Sequence, residues 1–171
     1  EKKSLVIIST AQHGIEGYVG SAMLKVFMDE FAPRIDPENT GLLLVHAINP
    51  WGMKHRRKVN ENSVDLNRNF IHGAFNLDIN PDFKSLHYLL TPQSPVRAFR
   101  LENLLFWIRV IRALVTLGIS RVSTAALLGQ HSTPNGFYYG GTQLEEGTKV
   151  LMDLYQQAAE KYEFVLQVDI H

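Results

Sequence analysis

The chain has 171 residues, of which 45% are hydrophobic, so residues 1–171 contain enough apolar material for one domain with a core. Seventeen basic and seventeen acidic residues leave no net charge, which argues against nucleic acid or a membrane surface as a bulk partner. Cysteine is absent, which excludes disulfides and thiol chemistry and favours a reducing compartment, so we expect a cytoplasmic protein.

Nearly continuous apolar runs predict strands of the kind found in parallel sheets that are covered on both faces. These runs occupy residues 4–10, 41–48 and 163–170. Helical periodicity predicts helices at about residues 18–32, 97–117 and 143–161. Because strands and helices alternate, the sequence predicts an α/β fold, with a mostly parallel or mixed sheet and helices on both faces. The polar segment 49–96 is predicted to be a long loop.

The predicted helix at 97–117 carries both an apolar stripe and several arginines. Pro95 near its start and Gly118 after its end are typical helix boundaries. We expect the stripe to face the core and the arginines to face solvent. The stripe consists of Leu101, Leu104, Leu105, Ile108, Ile111, Leu114 and Val115. Charged residues interrupt this apolar stretch, so it is not predicted to span a membrane.

The first and last predicted strands each lead into possible metal ligands. The strand at 4–10 runs into a tight turn that carries His13 and Glu16, and the strand at 163–170 is followed by His171. Ligand sites of open α/β sheets lie beyond the carboxyl ends of the strands. Two histidines and a glutamate, with a fourth position left for water, form a known catalytic zinc site. Without this context, His13 and Glu16 are equally well explained as a turn residue and an acid at a helix start.

The segment 54–70 carries a second group of polar residues, with Arg68 between two asparagines. An arginine in this setting can bind a carboxylate through two parallel charge-assisted hydrogen bonds, and Asp65 could hold its guanidinium in place. The alternative for Arg68 is a surface ion pair. The alternative for the basic run 56–58 is a solvated turn.

Four motifs follow one another along nearly the whole chain. They are HGxEG from His13, NPxG from Asn49, VDLNRNF from Val64, and a histidine at the end of a strand, His171. In this order they resemble the zinc metallocarboxypeptidases of the carboxypeptidase A type. The finer pattern, which includes residues 129–141, is similar to a bacterial branch of that superfamily.

The resemblance implies a site for one zinc ion and a neighbouring site for substrate. The implied zinc ligands are His13, Glu16 and His171, which agrees with the interpretation of the strand ends. Asn67 and Arg68 match the pair that holds the terminal carboxylate of the substrate. The implied fold is a carboxypeptidase-like α/β domain.

The resemblance also implies catalytic groups beyond the metal ligands. An arginine that polarises the scissile carbonyl is matched best by Arg57, with Arg56 and Lys58 left open. The general base, a glutamate, and a tyrosine that closes over substrate lie downstream of the third ligand in the family. We therefore expect the chain to be part of a longer enzyme and to be inactive on its own.

The expected activity is that of a metallopeptidase: zinc-dependent hydrolysis of an amide or peptide bond next to a free carboxylate. Peptides or acylamino acids are the expected substrates, and no nucleic acid or membrane partner is expected. One alternative is a deacylase of the aspartoacylase and succinylglutamate desuccinylase type, which shares HxxE, DLNR and a distant histidine. Another is a non-catalytic domain that binds metal or ligand. The NPWG and complete DLNRNF motifs favour the peptidase.

Overall fold

The computed structural model describes residues 2–92, 95 and 98–171. They form two compact units. The first, here called the sheet unit, comprises Glu1–Phe70 and Leu144–His171, and the second, the helical unit, comprises Ile71–Gln143. The expectation of a single domain stays a prediction.

The described residues form three strands, five α-helices and several short turns. The strands are β1 (Ser4–Thr10), β2 (Thr40–Val45) and β3 (Phe164–Ile170). The α-helices are α1 (Gly17–Val26), α2 (Pro50–His55), α3 (Pro81–Leu90), α4 (Phe99–Leu127) and α5 (Glu146–Lys161). Short 3₁₀ turns lie at Gly14–Glu16, Ala32–Arg34 and Leu66–Arg68, and a π-helical turn lies at Phe27–Phe31.

The strands form one parallel sheet in the order β2-β1-β3. On β1, Ser4 pairs with Thr40 on one side and with Phe164 on the other. The register with β3 continues to the pair Thr10 and Ile170, so the carboxyl ends of the two strands lie side by side. The predicted α/β fold is confirmed.

Helices lie on both faces of the sheet at its central strand, but most of β3 is exposed, with Leu166 at 59%, so the expectation that every strand is covered on both faces was wrong. Leu5 and Ile7 of β1 pack with Ala158 of α5, whereas Val6 and Ile8 lie in an apolar groove lined by residues of α1. Because successive residues of a strand point to opposite faces, α1 and α5 lie on opposite sides of the sheet. The central strand is thereby buried and rigidly placed.

Helix α4 faces the opposite way from the sequence prediction. Its buried residue Ala113 packs with Leu86 and Leu89 of α3, and Val110 and Leu117 flank this contact. The predicted core stripe is exposed, apart from the half-buried Leu114. The prediction was wrong because α3 packs on the side of α4 that carries Val110, Ala113 and Leu117, and the predicted stripe lies elsewhere on the helix.

Helix α4 is also longer than predicted. Its backbone leaves the helical conformation at Gly118, where φ is 80°, and the helix then resumes as far as Leu127. Within the described part of the chain, α4 is the one helix whose length and composition would suit a membrane span. Surface and core helices can have the same length and composition, so the absence of a membrane span stays a prediction.

The predicted loop at 49–96 contains two helices, α2 and α3, and this prediction was also wrong. Both helices begin with an Asn-Pro pair. The Asn49 side chain accepts a hydrogen bond from the backbone N–H of Gly52 over 2.8 Å, and that of Asn80 accepts one from Phe83 over 3.2 Å. Asparagine is a preferred N-cap, and proline at the first helical position has no N–H to satisfy.

We expect the substitution Ile7→Ala to destabilise the sheet unit. The Ile7 side chain is 1% exposed, and its loss leaves a cavity between β1 and α5, so the free energy of unfolding should fall by about 2–5 kcal/mol. Leu166→Ala on β3 is the control, because Leu166 is 59% exposed and its loss should change stability by only about 0.5 kcal/mol. Urea denaturation measures both, and equal losses would contradict the burial pattern.

Candidate metal centre

The turn after β1 is held in place by two other segments of the sheet unit. The backbone N–H of Gly14 donates to the carbonyl of Lys58 over 3.4 Å, and that of Ile15 donates to the carbonyl of Arg57 over 3.0 Å. A side chain at Gly14 would overlap the backbone of Gly52 in α2. Glycine is therefore required where this turn meets α2, and the turn fixes the residues on either side of it.

His13 lies at the start of this turn, is 6% exposed, and contacts a carboxylate with each ring nitrogen. Its Nδ1 lies 3.1 Å from Oε2 of Glu16, and its Nε2 lies 3.0 Å from Oδ1 of Asp65. A carboxylate that accepts from Nε2–H fixes the neutral tautomer whose Nδ1 lone pair points at Glu16. Nδ1 and Oε2 can then be joined by a cation that both coordinate, or by the proton of an imidazolium.

The spacing of these two atoms fits a zinc ion. Donor atoms bound to one tetrahedral zinc lie about 3.3 Å apart, because each is about 2.0–2.2 Å from the metal. The separation of 3.1 Å between His13 and Glu16 is close to this value. The carboxylate on the second nitrogen of His13 is the usual partner of a zinc-bound imidazole.

Asp65 is the buried partner of His13, with a side chain that is 1% exposed. Its Oδ1 also accepts from the backbone N–H of Asn67 over 3.1 Å, and its Oδ2 lies 3.1 Å from Nζ of Lys58. Burial raises the pKa of Asp65, but the hydrogen bond from His13 and the charge of Lys58 outweigh burial and hold that pKa below its ordinary value. Asp65 is therefore ionised near neutral pH.

The pairing of β1 with β3 brings His171 to the same place. The ring centroids of His13 and His171 are 5.0 Å apart and their planes are nearly perpendicular. Two imidazoles bound to one tetrahedral zinc have centroids about 5 Å apart. The side chains nevertheless contact one another and their neighbours directly, and no group of three or more His, Cys, Asp or Glu within the described ranges has the geometry of a complete metal site.

Asn67 and Arg68 lie on the 3₁₀ turn that Asp65 caps. Both side chains are half-buried, and the amide nitrogen Nδ2 of Asn67 lies 3.2 Å from Nε2 of His171. The carboxylate of Asp65, which the sequence suggested as a brace for the Arg68 guanidinium, contacts His13 and Lys58. Of the pair that the sequence analysis singled out for binding a carboxylate, Asn67 therefore contacts the predicted metal ligand His171.

The three basic candidates at 56–58 have different surroundings. Arg56 ends α2 in the left-handed conformation, with φ of 53°. Lys58 pairs with Asp65, a role that the sequence analysis did not assign. Arg57 has an exposed side chain, and its backbone carbonyl holds the turn that carries Glu16. The backbone of Arg57 thus lies beside the turn, and its side chain is not part of the Lys58–Asp65 ion pair.

Sequence reasoning missed Asp65 as the partner of His13. The signal that could have found it is chemical, because a histidine ligand needs an acceptor for its second nitrogen. Asp65 lies in the VDLNRNF motif, which the sequence analysis had already singled out for Asn67 and Arg68.

The whole chain, residues 1–171, matches the family described as "Protein of unknown function (DUF2817)", and the chain belongs to that family. No curated protein and no solved structure matches it. Because the family description states no activity, the function has to be argued from the residues of the site.

We expect Asp65→Ala to destabilise the sheet unit. The substitution leaves the Nε2–H of the buried His13 without its acceptor, which costs about 1–3 kcal/mol, whereas the Lys58 side chain is 37% exposed and can be solvated. Asp78→Ala is the matched control, because the ion pair of Asp78 with Lys84 is exposed and should contribute less than about 1 kcal/mol. Thermal and urea unfolding give both values, and a loss for Asp65→Ala as small as that of the control would show that the buried pair is unimportant.

Proposed function

We propose that this member of the DUF2817 family is a zinc-dependent hydrolase that cleaves an amide or peptide bond next to a free carboxylate, as a carboxypeptidase does. One observation carries the proposal. At the carboxyl ends of β1 and β3, His13 contacts Glu16 over 3.1 Å, its ring centroid lies 5.0 Å from that of His171, and its second ring nitrogen lies 3.0 Å from the Asp65 carboxylate. Imidazoles and a carboxylate at this spacing are the donor set of catalytic zinc.

The three side chains would hold the zinc ion, and the neighbouring residues would keep them in position. When bound, zinc supplies Lewis acidity toward a carbonyl and activates water near neutral pH. Asp65 holds His13 in the tautomer that offers Nδ1, and Lys58 compensates the buried charge of Asp65. The backbone bonds of Gly14 and Ile15 fix the turn between the two ligands that it carries.

Asn67 and Arg68 would bind the substrate through its carboxylate. Arginine can hold a carboxylate with two parallel hydrogen bonds, and the short turn that carries both residues is fixed by Asp65. The substrate would then be held by its charged end, and the bond to be cleaved would be presented to the metal ligands. Such positioning is what distinguishes an exopeptidase or acylamino-acid hydrolase from an enzyme that cuts within a chain.

Arg57 would act on the oxygen of the scissile carbonyl. Its backbone carbonyl accepts from the turn that carries Glu16, so its exposed side chain starts beside that turn. A donor that faces the charge developing on that oxygen contributes on the order of 3 kcal/mol to lowering the barrier.

Zinc titration tests the metal site. We expect the chain to bind one zinc ion. We expect His13→Ala, Glu16→Ala and His171→Ala each to weaken zinc binding strongly. Each loss should exceed the roughly 10–100-fold that is typical when a residue that only holds a ligand in position is removed. His72→Ala, in which an exposed histidine of the helical unit is removed, should bind as the wild type does. Competition with a chromophoric chelator measures the affinities. Zinc binding that none of the three substitutions weakens would place the metal elsewhere.

Ligand binding tests the role of Arg68. In the zinc-loaded chain, Arg68→Ala should weaken binding of N-acetyl amino acids by roughly 10–100-fold, because a hydrogen bond to a charged group is lost, and should leave binding of the corresponding amides unchanged. Arg34→Ala removes an exposed arginine of the sheet unit and serves as the control. Calorimetry or NMR titration gives the dissociation constants. Equal losses for acids and amides would mean that Arg68 is structural and that the substrate is not recognised by a carboxylate.

A further inference from the structure

Asp169, near the end of β3, is surrounded by three hydrogen-bond donors. Its Oδ1 accepts from the hydroxyl of Ser9 over 2.8 Å, and its Oδ2 lies 2.5 Å from Nδ1 of His171. When the Gln12 side-chain amide is oriented so that both its oxygen and its nitrogen have hydrogen-bond partners, the nitrogen donates to Oδ2 over 2.6 Å. Three donors from different segments fix the carboxylate more firmly than a single surface ion pair would.

The donor Ser9 ties the Asp169 carboxylate to the central strand of the sheet. Ser9 is completely buried on β1 and is the register partner of Asp169 on β3. The sheet register therefore places the Asp169 carboxylate within reach of the Ser9 hydroxyl. Asp169 in turn lies two residues before His171.

We propose that Asp169 is the positioning residue of the third zinc ligand, an inference that rests on the function proposed above. Its carboxylate accepts from Nδ1–H of His171, which fixes the tautomer whose lone pair is on Nε2. The Asn67 amide nitrogen lies 3.2 Å from that Nε2, as expected for a donor facing a lone pair. His171 therefore offers Nε2 to the metal.

The two histidines are then oriented by two carboxylates on opposite ring nitrogens. Asp65 holds His13 through Nε2 and leaves Nδ1 for the metal, whereas Asp169 holds His171 through Nδ1 and leaves Nε2. Asp65 belongs to a turn and Asp169 to a strand, so each imidazole has a carboxylate partner of its own. Removal of Asp169 should disturb His171 and leave the tautomer of His13 unchanged.

The test combines zinc affinity with the tautomer of each histidine. Asp169→Ala should bind zinc roughly 10–100-fold more weakly than the wild type, as is typical when the partner of a ligand is removed. Gln167→Ala is the matched control, because Gln167 lies on the same strand and the same face but is exposed. Long-range ¹H–¹⁵N NMR of the zinc-loaded wild type should show His13 bound through Nδ1 and His171 bound through Nε2.

The outcomes separate this inference from the proposed function. If the wild type binds zinc and Asp169→Ala binds it equally well, or if His171 is bound through Nδ1, the positioning role is wrong and the zinc site stands. If the wild type does not bind zinc, both proposals are wrong. If Asp169→Ala does not fold, Asp169→Asn decides in the same titration, since it keeps the size and one acceptor but loses the charge. Weakened binding with an unchanged urea midpoint of the metal-free protein supports the inference.

Discussion

The pairing of β1 with β3 is the interaction on which the candidate site depends. It joins segments about 160 residues apart in sequence, and it places Ser9 beside Asp169 and Thr10 beside Ile170. A slip of one residue would turn every side chain of β3 to the other face, and Asp169 would leave Ser9. Leu5 and Ile7 bury the central strand under α5, whereas most of β3 is exposed. The hydrogen bond from Ser9 to Asp169 therefore links the two strands at this register.

The second constraint is the charge buried with His13. A carboxylate removed from water costs several kcal/mol unless its oxygens are paired, by the usual estimate for buried ions. Asp65 meets this requirement with His13, Lys58 and the backbone of Asn67, which together use both of its oxygens. Such a compensated pair adds little net stability compared with apolar packing, so its value lies in fixing the imidazole. This argues that the pair serves the site rather than the fold.

The sequence was sufficient to predict the α/β fold and the three strands, because each strand is a nearly continuous apolar run. It also predicted that His13 and His171 follow neighbouring strands, and their ring centroids are 5.0 Å apart. It was not sufficient for α2 and α3, whose apolar periodicity is weak and whose starting signal is the Asn-Pro pair. The face of α4 was predicted wrongly for a related reason. Periodicity identifies an apolar stripe but not its partner, and the partner of α4 was a helix that had not been predicted. The pairing of Asp65 with His13 is a contact across the fold that no local pattern encodes.

The turn Leu66–Arg68 links the two halves of the proposed chemistry. Asp65 caps it and holds His13, while Asn67 and Arg68 extend from its other end. Asp65 contacts both the ring of His13 and the backbone of Asn67, so this turn sets the position of Asn67 relative to His13. In the proposed reaction, a substrate held by its carboxylate would present the bond next to its charged end, and fixed orientation of this kind can supply a large part of enzymatic rate enhancement. Selectivity for a terminal bond and catalytic orientation would then have one structural origin, the short turn that joins them.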